Sequence, residues 1–280
     1  NCAGCKALSD KNRVVKLELT KTGIYGVIVL TVRIFAGDMK WGNLILMLGA
    51  CTMFAGAVLA VFALDLKRTL ACSSVSQIGF IMTGIGMCGL LYGEHALAAH
   101  GAMLHMVNHS LIKLVLFLSA GVIYMNTHRL DLNVIRGFGR RKPFLAGCFA
   151  VGALSIGGIP LFSGYISKTL IHESILEYGA VGWMKLLEIV FIVSGGLTVA
   201  YMAKLFVTVF IEKNTDEALQ RRYDGMQRYL SPLSACAIGI PAAVLAMWGF
   251  LPHRLMDRVA ALGNGFYALA ESMGVSEAVH

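Results

Sequence analysis

The sequence predicts an all-α membrane protein with about seven transmembrane helices. Of its 280 residues, 57% are hydrophobic and only 14% are charged, whereas an ordinary soluble domain is about 25% charged. The 31 Gly and 14 Met residues agree with this class, because small residues let transmembrane helices approach closely. Between Thr69 and Thr127 the only Asp, Glu, Lys or Arg residues are Glu94 and Lys113. This composition excludes a disordered chain and argues against a soluble helical bundle.

Seven apolar segments have roughly the length that a bilayer-spanning helix needs. The predicted helices cover, in order, Leu19–Ala36, Asn43–Leu64, Thr69–Tyr92, His95–Met125, Phe144–Ile175, Met184–Ile211 and Pro232–Leu251. The fifth of these contains Gly157-Gly158-Ile159-Pro160, which predicts a break, because proline removes a backbone donor and clashes with the preceding turn. We therefore predict a transmembrane domain over residues 19–251 that contains one broken helix.

The two ends of the chain are more polar than the middle. Residues 1–18 carry no apolar stretch, so we expect a cytoplasmic segment and no signal peptide, and the start at Asn1 leads us to expect part of a longer protein. Residues 252–280 are too polar to span and are predicted to lie at the membrane surface.

The distribution of basic residues predicts the orientation. Fifteen of the 24 Lys and Arg residues lie in the N-terminal segment and in the connections after the second, fourth and sixth helices, and five lie in the opposite set. The positive-inside rule places the richer set in the cytoplasm, which puts the protein in the cell inner (plasma) membrane with its C-terminus outside. The remaining four basic residues lie within or near the hydrocarbon: Lys21, Lys113, Lys168 and Lys204.

The fourth helix carries a row of ionisable side chains. His105, His109 and Lys113 follow each other at intervals of four, so they share one face and rise in steps of about 6 Å. An ionised Lys at the bilayer centre costs on the order of 2.5–3.5 kcal/mol, and mid-helix Lys113 is too deep to reach the headgroups. Imidazole accepts and donates protons near neutral pH, and burial favours the neutral amine of a lysine. We predict a proton relay on a face that points into the bundle, with Asn108 as a polar neighbour.

The broken helix offers a second candidate. Breaks of this kind expose backbone groups to polar cavities within the membrane, and Lys168 follows Pro160 by eight residues, with His172 one turn further on. The alternative is a packing kink with Lys168 at a helix end. For Lys21 and Lys204, headgroup contact remains an equal alternative.

Further polar residues are expected to support the relay, either by lining a wet path or by bonding neighbouring helices. They are Asp65, Lys67, Ser73 and Gln77 at the third helix, and Lys204 on the sixth.

The sequence predicts no catalytic residue, cofactor or metal site. No carboxylate or Cys joins His105 and His109 on their face, and Cys2 and Cys5 form a single CxxC pair without a second one. The other five Cys residues lie in apolar runs, where cysteine packs as a small hydrophobe. Phosphate-binding loops and iron–sulfur spacings do not occur either, and the basic excess is read as membrane topology rather than nucleic-acid binding.

Four stretches resemble the antiporter-like subunits shared by respiratory NADH:quinone oxidoreductase (complex I), membrane-bound group 4 hydrogenases and Mrp-type cation/proton antiporters. They are KTGIYG (Lys21–Gly26), DLKRTLACSSVSQIGF (Asp65–Phe80), HMVNHSLIKLVLFLSAG (His105–Gly121) and GIPLFSGYISK (Gly158–Lys168). The resemblance implies a fold of 14 helices with two inverted five-helix repeats, each holding a broken helix and forming one half-channel. This chain looks like the last seven helices.

The resemblance also assigns roles and partners. It implies that Lys21 connects the half-channels, that His105, His109 and Lys113 form the central relay, and that Lys168 is the terminal residue. The implied function is proton translocation through an exit half-channel, within an oxidoreductase complex of the NADH dehydrogenase or hydrogenase type and with no redox site in this chain. The partners would be other membrane subunits, lipid, and protons or Na⁺, but not nucleic acid.

Two departures from the family pattern keep other functions open. The first repeat is absent from this sequence, and Thr169 follows Lys168 where some relatives have an acidic residue. The alternatives are an Mrp-type Na⁺/H⁺ antiporter subunit and a structural scaffold that does not conduct.

Overall fold

The computed structural model describes residues 22–91, 96–179, 182–226 and 228–250. Over these ranges the chain forms helices joined by turns, without a β-strand. The helices are α1 (22–34, ending in the π-helical Leu30–Ile34), α2 (Met39–Phe62), α3 (Leu66–Leu90), α4 (Ala96–Thr127), α5 (Leu132–Ile135), α6 (Pro143–Gly157), α7 (Ser163–Glu177), α8 (Met184–Phe206, followed by the π-helical Val207–Ile211), α9 (Glu217–Gly225) and α10 (Pro232–Phe250).

The prediction of an all-α membrane protein is confirmed. Four helical segments are long and apolar enough to cross a membrane, namely α2, α3, α4 and α8 with its π-helical end, and α6 and α10 are shorter apolar helices. The fifth predicted helix is the broken pair α6 and α7. Short α5 and α9 lie in connections where no helix was predicted. The predicted segments 1–18 and 252–280 lie outside the described residues.

Small residues set the distance between α2 and α3. A side chain at Gly79 would overlap the backbone of Met53, and a Cβ at Gly86 would come within 2.8 Å of the Leu46 nitrogen. From the other side, a Cβ at Gly49 would come within 2.8 Å of the Thr83 nitrogen. The two backbones are therefore in direct contact, as small-residue stripes permit in membranes.

Aspartates begin several helices. Asp38 accepts hydrogen bonds from the backbone of Lys40 and Trp41 at the start of α2, and Asp65 accepts one from Arg68 at 2.9 Å at the start of α3. These N-caps satisfy backbone donors that have no partner within the helix. Because the caps precede the apolar runs, α2 and α3 start four and three residues earlier than predicted.

The break between α6 and α7 follows from two backbone positions. Gly158 has φ 74° and ends α6, and Leu161 has φ 75° after Pro160. A Cβ at Gly164 would overlap the carbonyl oxygen of Ser155, so the first turn of α7 lies directly on the end of α6. The break leaves carbonyl groups of α6 open to side chains, as the sequence predicts.

The buried apolar residues form two clusters. The first includes Leu70, Ile112 and Tyr201, and the second includes Phe80 and Phe191. On α3, α4 and α8 the stretch between the clusters is polar. We call this stretch, together with the first two turns of α7, the polar layer; it comprises Ser73, Ser76, Gln77, His105, Asn108, His109, Ser163, Ser167, Lys168, Ser194 and Thr198, all buried.

Candidate functional site: a buried polar layer

The ionisable face of α4 points into the bundle. His105, His109 and Lys113 are 1%, 8% and 0% exposed, so the predicted orientation is confirmed. Their spacing puts them on the side of α4 that faces α3 and α7, where the two apolar clusters leave room for polar side chains.

His105 joins two helices. Its Nε2 lies 3.0 Å from Gln77 Oε1 on α3, and its Nδ1 lies 2.9 Å from Ser167 Oγ on α7. An amide oxygen only accepts hydrogen bonds, so in this arrangement Nε2 carries the proton and neutral His105 accepts at Nδ1. The Ser167 hydroxyl also lies 3.2 Å from the Gly164 carbonyl. Since that hydroxyl has one proton, a change in the charge of His105 redirects it.

Lys113 is held by neutral oxygen atoms. Its Nζ donates to the Leu70 carbonyl at 3.0 Å and to the Ser73 hydroxyl. Both acceptors lie on α3, and the Phe117 ring is 5.9 Å away. Neutral acceptors serve both the ammonium and the amine form, whereas a carboxylate partner would fix the ammonium. The site therefore suits a lysine that changes its protonation state.

The Lys168 side chain bonds to the backbone at the break between α6 and α7. Its Nζ donates to the Ile156 carbonyl near the end of α6 at 2.8 Å and lies 4.7 Å from the Phe80 ring centre. Asn108 donates from the α4 side to the Ser163 carbonyl at 2.9 Å. A lysine and an amide thus bond to carbonyls on both sides of the break, which ties the relay face of α4 to α7.

The structure places the remaining predicted residues in three groups. Ser73, Gln77 and Asn108 belong to the polar layer. Gln77 bonds to His105 and Ser73 to Lys113, whereas Asn108 bonds to the Ser163 carbonyl at the start of α7. Outside it lie Asp65, which caps α3, Lys67, which is exposed, and Lys204, which donates to the carbonyls of Val61 and Ala63. Lys21 lies outside the described residues.

His172 lies about one turn beyond Lys168, toward the C-terminal end of α7. It is half-buried, with Nε2 3.7 Å from a Glu188 carboxylate oxygen and its ring 5.7 Å from the Phe191 ring. This pair joins α7 to the first turns of α8.

Three residues at or near this site have no distinguishing signal in the sequence. Ser167 is marked only by its position before Lys168, and Tyr201 is one polar residue within the apolar α8. Lys142 belongs to the basic connection after the fourth predicted helix, but it is 1% exposed and donates to the carbonyls of Phe138 and Tyr223. Burial lowers the pKa of Lys142 to about 8, with Asp224 acting in the opposite direction.

Fold and site together define a multi-pass membrane protein with buried cationic side chains beside a broken helix. The chain belongs to the family described as NADH:quinone oxidoreductase/Mrp antiporter, TM, whose model matches residues 17–198. It is an antiporter-like membrane subunit of the complex I, hydrogenase and Mrp type.

Curated relatives and a solved structure agree with this membership. One subunit of the Na(+)/H(+) antiporter of Alkalihalophilus pseudofirmus is 34% identical over 224 residues, which is 79% of this chain and 43% of the relative. The formate hydrogenlyase subunit 3 of Escherichia coli is 29% identical over 202 residues, 68% of this chain and 33% of the relative. This chain therefore spans less than half of either relative. The structure of the Mrp complex from Dietzia sp. DQ12-45-1b shares the fold at a TM-score of 0.74 and 24% identity, covering 89% of this chain and 51% of that one.

Proposed function

We propose that the chain is a proton-translocating subunit of a redox-driven membrane complex and carries its exit half-channel. The observation that carries the proposal is that His105, Lys113 and Lys168 are all buried and all bonded to neutral groups within or beside one polar layer. Structural lysines in membranes usually pair with a carboxylate or reach the headgroups, and these do neither among the described residues.

The proposed path enters at Lys21, which receives the proton from the first of the two half-channels that the family resemblance implies. His105, His109 and Lys113 pass the proton along α4, and Lys168 releases it toward the outer side. Each arrival charges one group and disfavours charge on the next, because like charges in a low-dielectric interior repel. Protons would therefore move singly and in order.

The partners follow from the same proposal. Protons are the transported species, and the chain would assemble with other membrane subunits of a respiratory or hydrogenase complex that hold the redox centres. The proposal includes an orientation, since the positive-inside rule applied to the basic connections favours a cytoplasmic N-terminal side and a C-terminal tail outside the plasma membrane. A single Cys at exposed Arg140 should then react with an impermeant thiol reagent only from the cytoplasm, and one in the segment 252–280 only from outside.

A second candidate is an Mrp-type Na⁺/H⁺ antiporter subunit. It is favoured by the 34% identity to a relative named as part of an Na(+)/H(+) antiporter. The two candidates differ in the driving force, since an antiporter acidifies or alkalises vesicles on addition of Na⁺ alone. A redox-driven subunit requires the electron donor.

The test of the proposal uses two substitutions of Lys113 in the assembled complex in membrane vesicles. Lys113→Ala removes the titrating group, and its removal also removes a desolvation cost, so the fold should persist. Lys113→Arg keeps a cation that does not release its proton at any usable pH. Both variants should lose formation of the pH gradient, measured in parallel with the redox rate.

A scaffold predicts a different outcome for the same pair. In a scaffold the arginine preserves the charge and the coupled activity survives. Full pumping by the Lys113→Arg assembly would therefore refute proton transfer through Lys113.

A further inference from the structure

Tyr201 on α8 is a wholly buried phenol beside the relay. It is 0% exposed, and its hydroxyl lies against the side chains of Thr198, Gln77 and Ser73. Yet it makes a well-formed hydrogen bond to none of them among the described residues. A buried tyrosine hydroxyl ordinarily has a partner, because leaving it unbonded is costly. A position beside three polar groups, without a well-formed hydrogen bond to any of them, needs an explanation.

The spacing of the relay supplies that explanation. His105 and Lys113 are eight residues apart on α4, a rise of about 12 Å, which is too far for direct proton transfer. Their bonding partners on α3, Gln77 and Ser73, are only one turn apart. Tyr201 on α8 lies beside both Gln77 and Ser73. Its hydroxyl is therefore next to the residue that bonds to His105 and next to the residue that bonds to Lys113.

We propose that the Tyr201 hydroxyl bridges the relay, so that protons pass between His105 and Lys113 along α3 and α8 as well as past His109 on α4. The inference rests on the proposed function and adds one residue to its path. Ser73 links the Tyr201 hydroxyl to Lys113. On the His105 side, Thr198 and Gln77 lie beside the same hydroxyl.

The transfer balances with one water molecule as co-reactant. Protonated His105 loses an N–H proton to the water, and the water gives one of its protons to the phenol oxygen. The phenol's own proton passes to Ser73, and the Ser73 proton forms a new N–H bond on neutral Lys113. His105 ends neutral and Lys113 ends as the ammonium, while the water and both hydroxyls keep their proton count. Gln77 carries no proton in this sequence and only orients His105.

The first test is Tyr201→Phe in the assembled complex. The substitution removes one oxygen and keeps the ring that packs in the first apolar cluster. Loss of one hydrogen bond in the transfer step should slow pumping about tenfold, with assembly and the redox centres intact. The matched control is Tyr165→Phe, because Tyr165 is 43% exposed on α7 and should pump normally.

The second test separates proton transfer from packing. Replacing Tyr201 by 3,5-difluorotyrosine makes the phenol more acidic and leaves its shape nearly unchanged. A bridging phenol then shifts the pH profile of the pumping rate toward lower pH, and the same replacement at Tyr165 does not. This variant keeps the hydroxyl, so it gives an answer even if Tyr201→Phe fails to assemble.

The outcomes distinguish this inference from the proposed function. If Lys113→Ala pumps normally, the proposed function fails and the bridge with it. If Lys113→Ala is inactive but difluorotyrosine at position 201 leaves rate and pH profile unchanged, only the bridge is overturned.

Discussion

Two lysines of this molecule are equally buried but belong to different hydrogen-bond networks. Lys113 is 0% exposed on α4 and Lys142 is 1% exposed just before α6. Each donates to neutral oxygen atoms, and each has an aromatic ring nearby. Burial and neutral partners therefore do not by themselves identify a proton relay.

The difference lies in the next contact along each network. From Lys113 the path continues through the Ser73 hydroxyl toward Tyr201, Gln77 and His105. From Lys142 it ends at once, because both acceptors are backbone carbonyls and the surrounding groups are the rings of Phe138 and Tyr229. A hydroxyl can receive one proton and release another, whereas a peptide carbonyl is an acceptor only. We infer that Lys142 holds the loop onto α9, whereas Lys113 faces the hydroxyl network that the proposed relay uses.

The largest expected effect extends this contrast to Lys168, the other buried lysine of the proposed relay, with matched substitutions at Lys168 and Lys142. Lys168→Gln replaces a relay cation with a neutral group that still bonds to the Ile156 carbonyl, and we expect pumping to fall by about two orders of magnitude or more. Lys142→Gln makes the same chemical change outside the polar layer and should leave pumping within about twofold of the unchanged protein, because a hydrogen bond outside the transfer path affects stability rather than transfer. The measurement is formation of the pH gradient in vesicles, normalised to the redox rate. Equal losses in both variants would erase the distinction between the two lysines.

The second prediction concerns the pH dependence of the loop around Lys142. Burial lowers the pKa of Lys142 from 10.5 to about 8. At pH values between these two, the state in which the loop has separated from α9 binds more protons than the native state. Stability then rises with pH across this window, by on the order of 2 kcal/mol. Burial raises the pKa of neighbouring Tyr223 above its usual value, so its contribution to the slope has the opposite sign and begins only near the usual tyrosine pKa of about 10.

Hydrogen exchange of α9, corrected for the intrinsic pH effect, should show the increased protection at about pH 9.5 relative to about pH 7.5, on either side of the Lys142 transition. Lys142→Met serves as the control and should show a flat profile. Protection that falls with rising pH in the unchanged protein would give the opposite sign and contradict the assignment.

The sequence predicts the local part of this site well. The interval of four between His105, His109 and Lys113 fixes their common face, and Gly158 with Pro160 fixes the break. Partners distant in the chain could not be predicted in the same way. His105 meets Ser167 across 62 residues, and Lys142 is buried only because α9 folds over it across 81 residues. Single-residue patterns carry no information about such pairs, so the burial of Lys142 and the place of Tyr201 appear only in the folded chain.

Lys204 gives the smallest expected effect, and its substitution tests how far the proposed relay extends. Lys204 on α8 is half-buried, and its Nζ donates to the carbonyls of Val61 and Ala63 at 2.8 Å and 2.7 Å, at the end of α2. A cation there bonds to carbonyls that have no partner within the helix and complements the helix dipole, which stabilises by about 0.3–1 kcal/mol. Lys204→Met should therefore loosen the last turn of α2 by about that amount while pumping continues.

Hydrogen exchange of the last-turn amides of α2 reports the loosening, with pumping assayed on the same vesicles. Exposed Lys67 offers the control, since Lys67→Met touches no helix end of α2 and should change neither measurement. If Lys204→Met stops pumping and leaves α2 protected, Lys204 acts with Lys113 and Lys168. The polar layer would then extend beyond Ser73 toward the connection between α2 and α3. If only the protection changes, Lys204 is a helix cap supplied by a neighbouring helix, and the relay ends where the hydroxyl network ends.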